Sequence, residues 1–193
     1  MVSTRAEVSH EVSAKELIEA ARALRPQIIA EAPQAEKRTF FSEDLHRKFL
    51  DARLYDIYVP KRYGGLELDM KAFVNVVKEI SRGDMSTGWC FGLGAANSWI
   101  VGMFPGEAQE DVWGGAPETL VAACIAPTGK ATPVDGGYRL RGRWGFASNC
   151  DNSRWMALGA MGEGPQGQPP QPIFLLVPHA HYKIVDQWHT VGL

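Results

Sequence analysis

Few of the residues that usually announce a chemistry are present in this chain of 193 residues. It has three cysteines, Cys90, Cys124 and Cys150, and no CxxC pair. An odd count at unpaired spacing excludes a disulfide-stapled scaffold and reads as buried thiols in a reducing compartment, the cytoplasm. No run approaches the roughly 18 to 20 apolar residues of a membrane span, and the N-terminal MVSTRAEVSHEVSAKELIEAARAL lacks the unbroken apolar core of a leader. Neither charge is in excess: 20 Lys and Arg stand against 22 Asp and Glu. Their scatter excludes the basic footprint of a nucleic-acid binder. GxSxG, HExxH and P-loop motifs are missing, which removes the usual support for acyl-enzyme hydrolysis, zinc proteolysis and phosphate transfer. His179 and His181 alternate along what reads as a solvated strand edge. Without nearby Cys or carboxylate partners they predict no metal site.

What the chain does have is core: 45% of its residues are hydrophobic, enough for one or two packed domains. Ser13 and Glu16 form a capping box, and Leu17, Ile18, Ala21, Leu24, Ile28 and Ile29 recur at helical spacing, predicting a helix that runs to about Pro33. Ser42 starts a second helix carrying Leu45, Phe49, Leu50 and Leu54. YDIYVPKRYGG then reads as an extended connection with a turn at Gly64 and Gly65. Asp69 caps a third helix with Phe73, Val76, Val77 and Ile80 inward, ending at Arg82 and Gly83. Asp84 or Ser86 opens a fourth, nearly uncharged helix through Phe104, expected to be buried on most sides. Pro105 occupies the first position of a fifth.

Composition changes near Pro117. From Leu120 onward, LVAACIA, YRLRGRWGFAS, RWMALGAM and PIFLLVP alternate with Gly and Pro turns, the pattern of antiparallel strands. Asp135, Gly136 and Gly137 mark a tight hairpin, and EGPQGQPPQP reads as a polar loop. The fold class is therefore α+β: a helical domain over residues 1–118, then a β domain over residues 119–193 that the sequence leaves incomplete.

GLGAAN at 92–97 imitates a dinucleotide fingerprint, but it follows no strand and lies within a helical pattern, so Gly92 and Gly94 read as close helix packing. The most informative stretch is RGRWGFASN. As one strand it places Tyr138, Leu140, Trp144, Phe146 and Ser148 on an apolar face and Arg139, Arg141 and Arg143 on the other. Two readings stand for the apolar face. Ordinary core is the commoner use of such alternation, whereas an aromatic stripe ending in a hydroxyl also suits a flat heteroaromatic ligand.

The order YDIYVPKRYGG, STGW, FPGEAQEDVW, APTGKATPVDGGYRLRGRWGFASN and WHTVGL resembles the acyl-CoA dehydrogenase superfamily, and within it the two-component flavin-dependent monooxygenases. Members are about twice as long and continue through a partial β-barrel into a C-terminal helical bundle, which this sequence lacks. The resemblance implies a bound FAD or FMN, delivered reduced by a separate flavin reductase, and a homotetramer. It implies transfer of one oxygen from a flavin C4a-hydroperoxide to a small organic substrate, aromatic ones included. By position, Phe146 becomes the aromatic contact to the ring, Ser148 the catalytic partner of its N5, and Trp144 their buttress. Ala122, Cys124 and Ile125 run along the ring, largely through backbone, while Asn97 and Trp89 line the substrate pocket.

The sequence departs from the dehydrogenase pattern in two places. Ile125, Ala126 and Pro127 stand for a Thr-Glu-Pro, and Lys130, Ala131 and Thr132 for a Gly-Ser-Asp, which disfavours an acyl-CoA substrate. Asn97 stands where many hydroxylases carry a His, and an amide cannot act as a general base. Two other readings follow: a dehydrogenase-like flavin oxidoreductase, or a non-catalytic fragment that binds a ligand.

Overall fold

The computed structural model describes residues 12–164, 169–188 and 190. The end of WHTVGL and the middle of EGPQGQPPQP lie outside the described residues. Helix α1 spans Ala14–Arg38, and its capping box forms as expected, with Ser13 Oγ accepting from the Glu16 amide. It does not stop near Pro33 but passes through both Pro26 and Pro33 to a left-handed Thr39. Each proline removes one amide donor from the helix. The buried stripe of Leu17, Ala21 and Ile28 holds the segment regardless, and the turn at Ile29, 53% exposed, is open to water.

Helix α2 (Glu43–Asp51) is capped by Ser42 and buries Leu45 and Phe49. It ends before Leu54, because Arg53 turns left-handed at φ 57° and starts a 3₁₀ turn over Leu54–Tyr58. The stretch expected to be extended thus holds two 3₁₀ turns, the second over Lys61–Tyr63. Helix α3 (Met70–Ser81) has the predicted Asp69 cap. Helix α4 (Met85–Val101) is capped by Asp84 and stops three residues short of the expected end. Helix α5 (Gly106–Trp113) takes Pro105 as its cap, one position earlier than predicted. Leu17, Ile28, Phe49, Tyr55, Val76, Ile80, Phe91 and Ala95 meet in one core.

Helix α4 is not buried all round. Met85, Trp89 and Trp99 are each more than half exposed, whereas Phe91, Ala95 and Val101 are fully buried. The uncharged composition therefore covers a second, open stripe as well as the core face.

Four strands follow: β1 (Val121–Val134), β2 (Gly137–Arg141), β3 (Trp155–Gly162) and β4 (Gln171–Pro178). They form one sheet in the order β2-β1-β3-β4. The hairpin forms as predicted, with Val134 opposite Gly137. The sheet is mixed rather than antiparallel: β1 and β3 run parallel. The reason is topological, since the chain leaves β2 on one side of β1 and crosses through residues 142–154 before returning on the other. Val59, Val101, Trp113, Val121 and Ala157 join helices to sheet. His179 and His181 fall in a short 3₁₀ turn rather than on a strand. Among the described residues no helix is long and apolar enough to cross a membrane.

Candidate functional site

Strand β1 is the foundation. It pairs with β3 from Val121 to Cys124 and again from Gly129 to Ala131, with a register break between Cys124 and Gly129. Its pairing with β2 covers only Lys130 to Val134. Residues 125–128 thus have no in-register partner on either side, and they arch over Gly159. A β-carbon at Gly159 would collide with the Ile125 carbonyl oxygen and lie 2.8 Å from that of Ala126. Bulges of this kind re-aim side chains at the rim of a sheet, and Ile125 stands out 70% exposed.

The expected long strand through Ser148 does not form. Strand β2 ends at Arg141, and residues 142–147 carry no ladder. Tyr138, Leu140, Trp144, Phe146 and Ser148 therefore do not share one face. Phe146 adopts φ 60°, a strained conformation for a large side chain, which breaks any alternation. Instead, three hydrogen bonds strap this segment over the β1 bulge. Trp144 Nε1 donates to the Gly159 carbonyl at 2.8 Å. Cys124 Sγ donates to the Gly145 carbonyl at 3.3 Å, and Thr128 Oγ1 to that of Arg143 at 3.4 Å.

Trp144 turns inward. Its ring fills the space above Gly129 and Gly142, where a β-carbon would strike it, and packs on the cluster of Ala122, Cys124, Met156 and Leu158. Ala122 and Cys124 accordingly serve as packing beneath the strap. Trp144→Phe loses both the bond to Gly159 and the outer ring atoms over Gly129 and Gly142, so the unfolding free energy is expected to fall by about 2 kcal/mol. Urea denaturation measures it, and an unchanged midpoint would show that the strap does not depend on this bond.

Phe146, by contrast, points out. It is 81% exposed and meets the edge of Trp188 at 5.6 Å between ring centres. Beside it Ser148 Oγ accepts from Trp89 Nε1 at 3.2 Å. The turn below is pinned by Asn149, buried and left-handed at φ 64°. Its carbonyl accepts from Ser153 Oγ at 2.9 Å, and its Oδ1 from Asn152 Nδ2 at 2.9 Å. Helix α4 approaches closely here, because Gly94 leaves room for the Asn149 amide and the Tyr55 ring. The sequence reading of Gly94 as a close-packing position is what the structure shows, although its partner is a loop rather than a helix.

Asn97 lies apart from this surface. It is 5% exposed, and its Nδ2 donates to the Val121 carbonyl at 2.9 Å, fastening α4 to the start of β1. The structure thus leaves Ile125 and Phe146 exposed and joins Ser148 to Trp89, while Ala122, Cys124, Trp144 and Asn97 are turned to packing. Gly159, Thr128 and Asn149 were not singled out from sequence. The only available sign was an isolated glycine within a strand pattern, which often marks a bulge or a close backbone approach.

Nothing at the site is a nucleophile. Burial pushes the Cys150 thiol up to about 12, with the Asp151 carboxylate adding to it, and burial raises Cys124 as well. Burial also raises Cys90. These thiols stay protonated and inert near neutral pH. Among the described residues no three His, Cys, Asp or Glu side chains gather to hold a metal ion. The surface offers exposed apolar side chains at Ile125 and Phe146, one hydroxyl and a stretch of backbone outside the ladder register.

Comparison with known proteins gives that surface a context. Residues 13–116 match the acyl-CoA dehydrogenase N-terminal domain. The chain is 43% identical over 139 residues to the FADH(2)-dependent resorcinol hydroxylase, oxygenase component, of Rhizobium sp. (strain MTP-10005), covering 72% of this chain and 34% of that protein. A crystal structure of the HsaA monooxygenase from M. tuberculosis superimposes with a TM-score of 0.89 at 29% identity, over 94% of this chain and 49% of that one. XiaF from Streptomyces sp., in complex with FADH2 and glycerol, gives 0.87 at 29% identity, over 93% of this chain and 45% of the other. The chain thus spans between a third and a half of the length of these relatives.

Proposed function

The chain belongs to the acyl-CoA dehydrogenase family, whose N-terminal domain covers residues 13–116, and we propose that it forms the flavin-facing wall of a monooxygenase oxygenase component. The observation that carries this reading is the pairing of a strained, outward Phe146 with the Ser148 hydroxyl above the β1 bulge. An isoalloxazine is flat and apolar on its faces and polar at N5 and along its pyrimidine edge, and this surface matches it. Phe146 and Ile125 would pack on the ring. Ser148 would hydrogen-bond N5, and the backbone of residues 125–128, free of ladder partners, would meet the pyrimidine edge.

Bound reduced flavin supplies the electrons that activate dioxygen, so that one oxygen enters the substrate and the other leaves as water. The chain's part is to orient and to exclude water. Trp144 and the buried cluster beneath it would close the site from below. Asn97, one of whose amide hydrogens goes to the Val121 carbonyl, would hold helix to sheet. The reduced flavin would come from a separate reductase in the cytoplasm. FADH2 is read first, because two relatives are named with it. The substrate class is a small aromatic compound, in line with the resorcinol hydroxylase likeness. The assembly is a homotetramer, in which the open stripe of α4 is covered by further protein.

Anaerobic titration with FADH2 and FMNH2, followed by flavin fluorescence and dioxygen admission with a panel of phenols and indoles, tests this. Saturable flavin binding that Ser148→Ala weakens by about fivefold, the worth of one hydrogen bond of about 1 kcal/mol, is the expected result. Saturable flavin binding with reduction by a substrate in the absence of oxygen would favour the dehydrogenase reading instead. No flavin binding at all would sink both.

A further inference from the structure

We propose that Trp89 is a positioning residue for Ser148, setting the direction in which its hydroxyl donates; the proposal rests on the flavin reading above. An indole nitrogen carries a hydrogen and no acceptor lone pair. The 3.2 Å contact between Trp89 Nε1 and Ser148 Oγ therefore has one possible polarity, with Trp89 donating. That fills one lone pair of the hydroxyl and turns its proton away from the indole. A serine on an open turn would otherwise rotate freely.

Both partners stand on rigid supports. Trp89 follows Gly88, whose missing side chain lets α4 sit against Ser81 at the end of α3, and Asp84 caps the same helix by accepting from the Thr87 amide. Ser148 precedes Asn149, which is buried and held through Ser153 and Asn152. The two side chains are 59 residues apart in sequence. Trp89 is still 52% exposed, more than a core tryptophan would be, so core packing does not account for its place. Its N–H has instead found the one hydroxyl beside Phe146.

The consequence concerns which ring state the site prefers. A hydroxyl polarised by an incoming donor is a better donor and a poorer acceptor. Oxidised flavin presents N5 as an acceptor, whereas the reduced ring presents N5–H. Trp89 thus favours the oxidised ring relative to the reduced one. Trp89→Phe, which keeps an aromatic ring but no N–H, is expected to shift the ratio of the two dissociation constants toward reduced flavin by about twofold, since polarisation changes the worth of one neutral hydrogen bond by roughly 10–30% in each direction. That ratio corresponds to a midpoint potential about 9 mV more positive for a two-electron couple.

The experiment is a double-mutant cycle in the flavin-binding protein, using Trp89→Phe, Ser148→Ala and the pair. Oxidised and reduced flavin are titrated anaerobically, with the Trp89 indole N–H resonance followed in the flavin-free protein. The expected result is that Trp89→Phe shifts the ratio in the wild type and not in the Ser148→Ala background, and that Ser148→Ala moves the indole resonance upfield. A full shift surviving in the Ser148→Ala background, or no shift in the wild type, overturns the proposal. If the wild type bound neither flavin state, the flavin reading would fail and the redox preference with it. The indole resonance would still report whether Trp89 and Ser148 are paired.

Discussion

Replacing Gly159 with alanine is expected to lower the unfolding free energy by about 3 kcal/mol, the upper part of the range for overpacking, and, on the proposed flavin reading, to abolish flavin binding. The backbone of Gly159 is not in the left-handed region that favours glycine, so alanine can adopt it. Glycine-to-alanine changes at such positions usually stabilise slightly, by restricting the unfolded chain. The loss is therefore steric: the new methyl meets the main chain of Ile125 and Ala126, which cannot rotate away as a side chain could. The bulge must lift, and the Trp144 bond to the Gly159 carbonyl must stretch with it. Gly162→Ala provides the control on the same strand. There the three nearest atoms to the methyl all belong to the Ile173 side chain, which can rotate aside, and a cost of about 1 kcal/mol is expected. Thermal melting and flavin titration of both variants decide the matter. If Gly159→Ala melted and bound flavin like the wild type, the bulge would not be the rigid base that the site requires.

Glu79 carries the second large effect. It lies on α3 with its side chain 6% exposed and is paired with Arg25 on α1, with Arg22 at 3.4 Å and with Arg82 at 3.0 Å. Burial pushes its carboxyl up, but the guanidinium groups of Arg22, Arg82 and Arg25 together pull it below its ordinary 4.5. Glu79→Ala leaves three cations without their shared anion and is expected to cost about 2 kcal/mol, less than for a fully buried pair because Arg22 and Arg82 are half exposed and regain water. As pH falls, the unfolded chain takes up this proton first, near 4.5, and the folded one only lower. The stability due to Glu79 is thus complete above about pH 4.5 and lost as pH drops through the folded value. Urea unfolding between pH 7 and pH 3 should show a steeper acid slope in wild type than in Glu79→Gln. Equal slopes would mean that the carboxylate does not couple α1 to α3.

Helix starts were legible because Ser13, Ser42, Asp69 and Asp84 each satisfy an amide three residues on, a contact made within one turn. Helix ends were less so. Pro33 reads as a stop, yet burial of Leu17, Ala21 and Ile28 on α1 outweighs the lost donors. The hairpin at Gly136 and Gly137 was legible for the same local reason as the caps.

What periodicity could not supply was the path of residues 142–148. Alternation assumes a continued strand, and this segment leaves the sheet to lie across β1. Only the long-range bonds of Trp144, Cys124 and Thr128 turn Trp144 in while Phe146 turns out. The parallel pairing of β1 with β3 follows from the same crossing. By itself the sequence determined the elements, the α+β class and the residue types of the site, because these rest on contacts within a turn and on pattern. The tertiary structure alone decided which of those residues face outward and that Trp89 meets Ser148, because bringing groups 59 residues apart to 3.2 Å depends on how helix and sheet pack around Gly94 and Gly159.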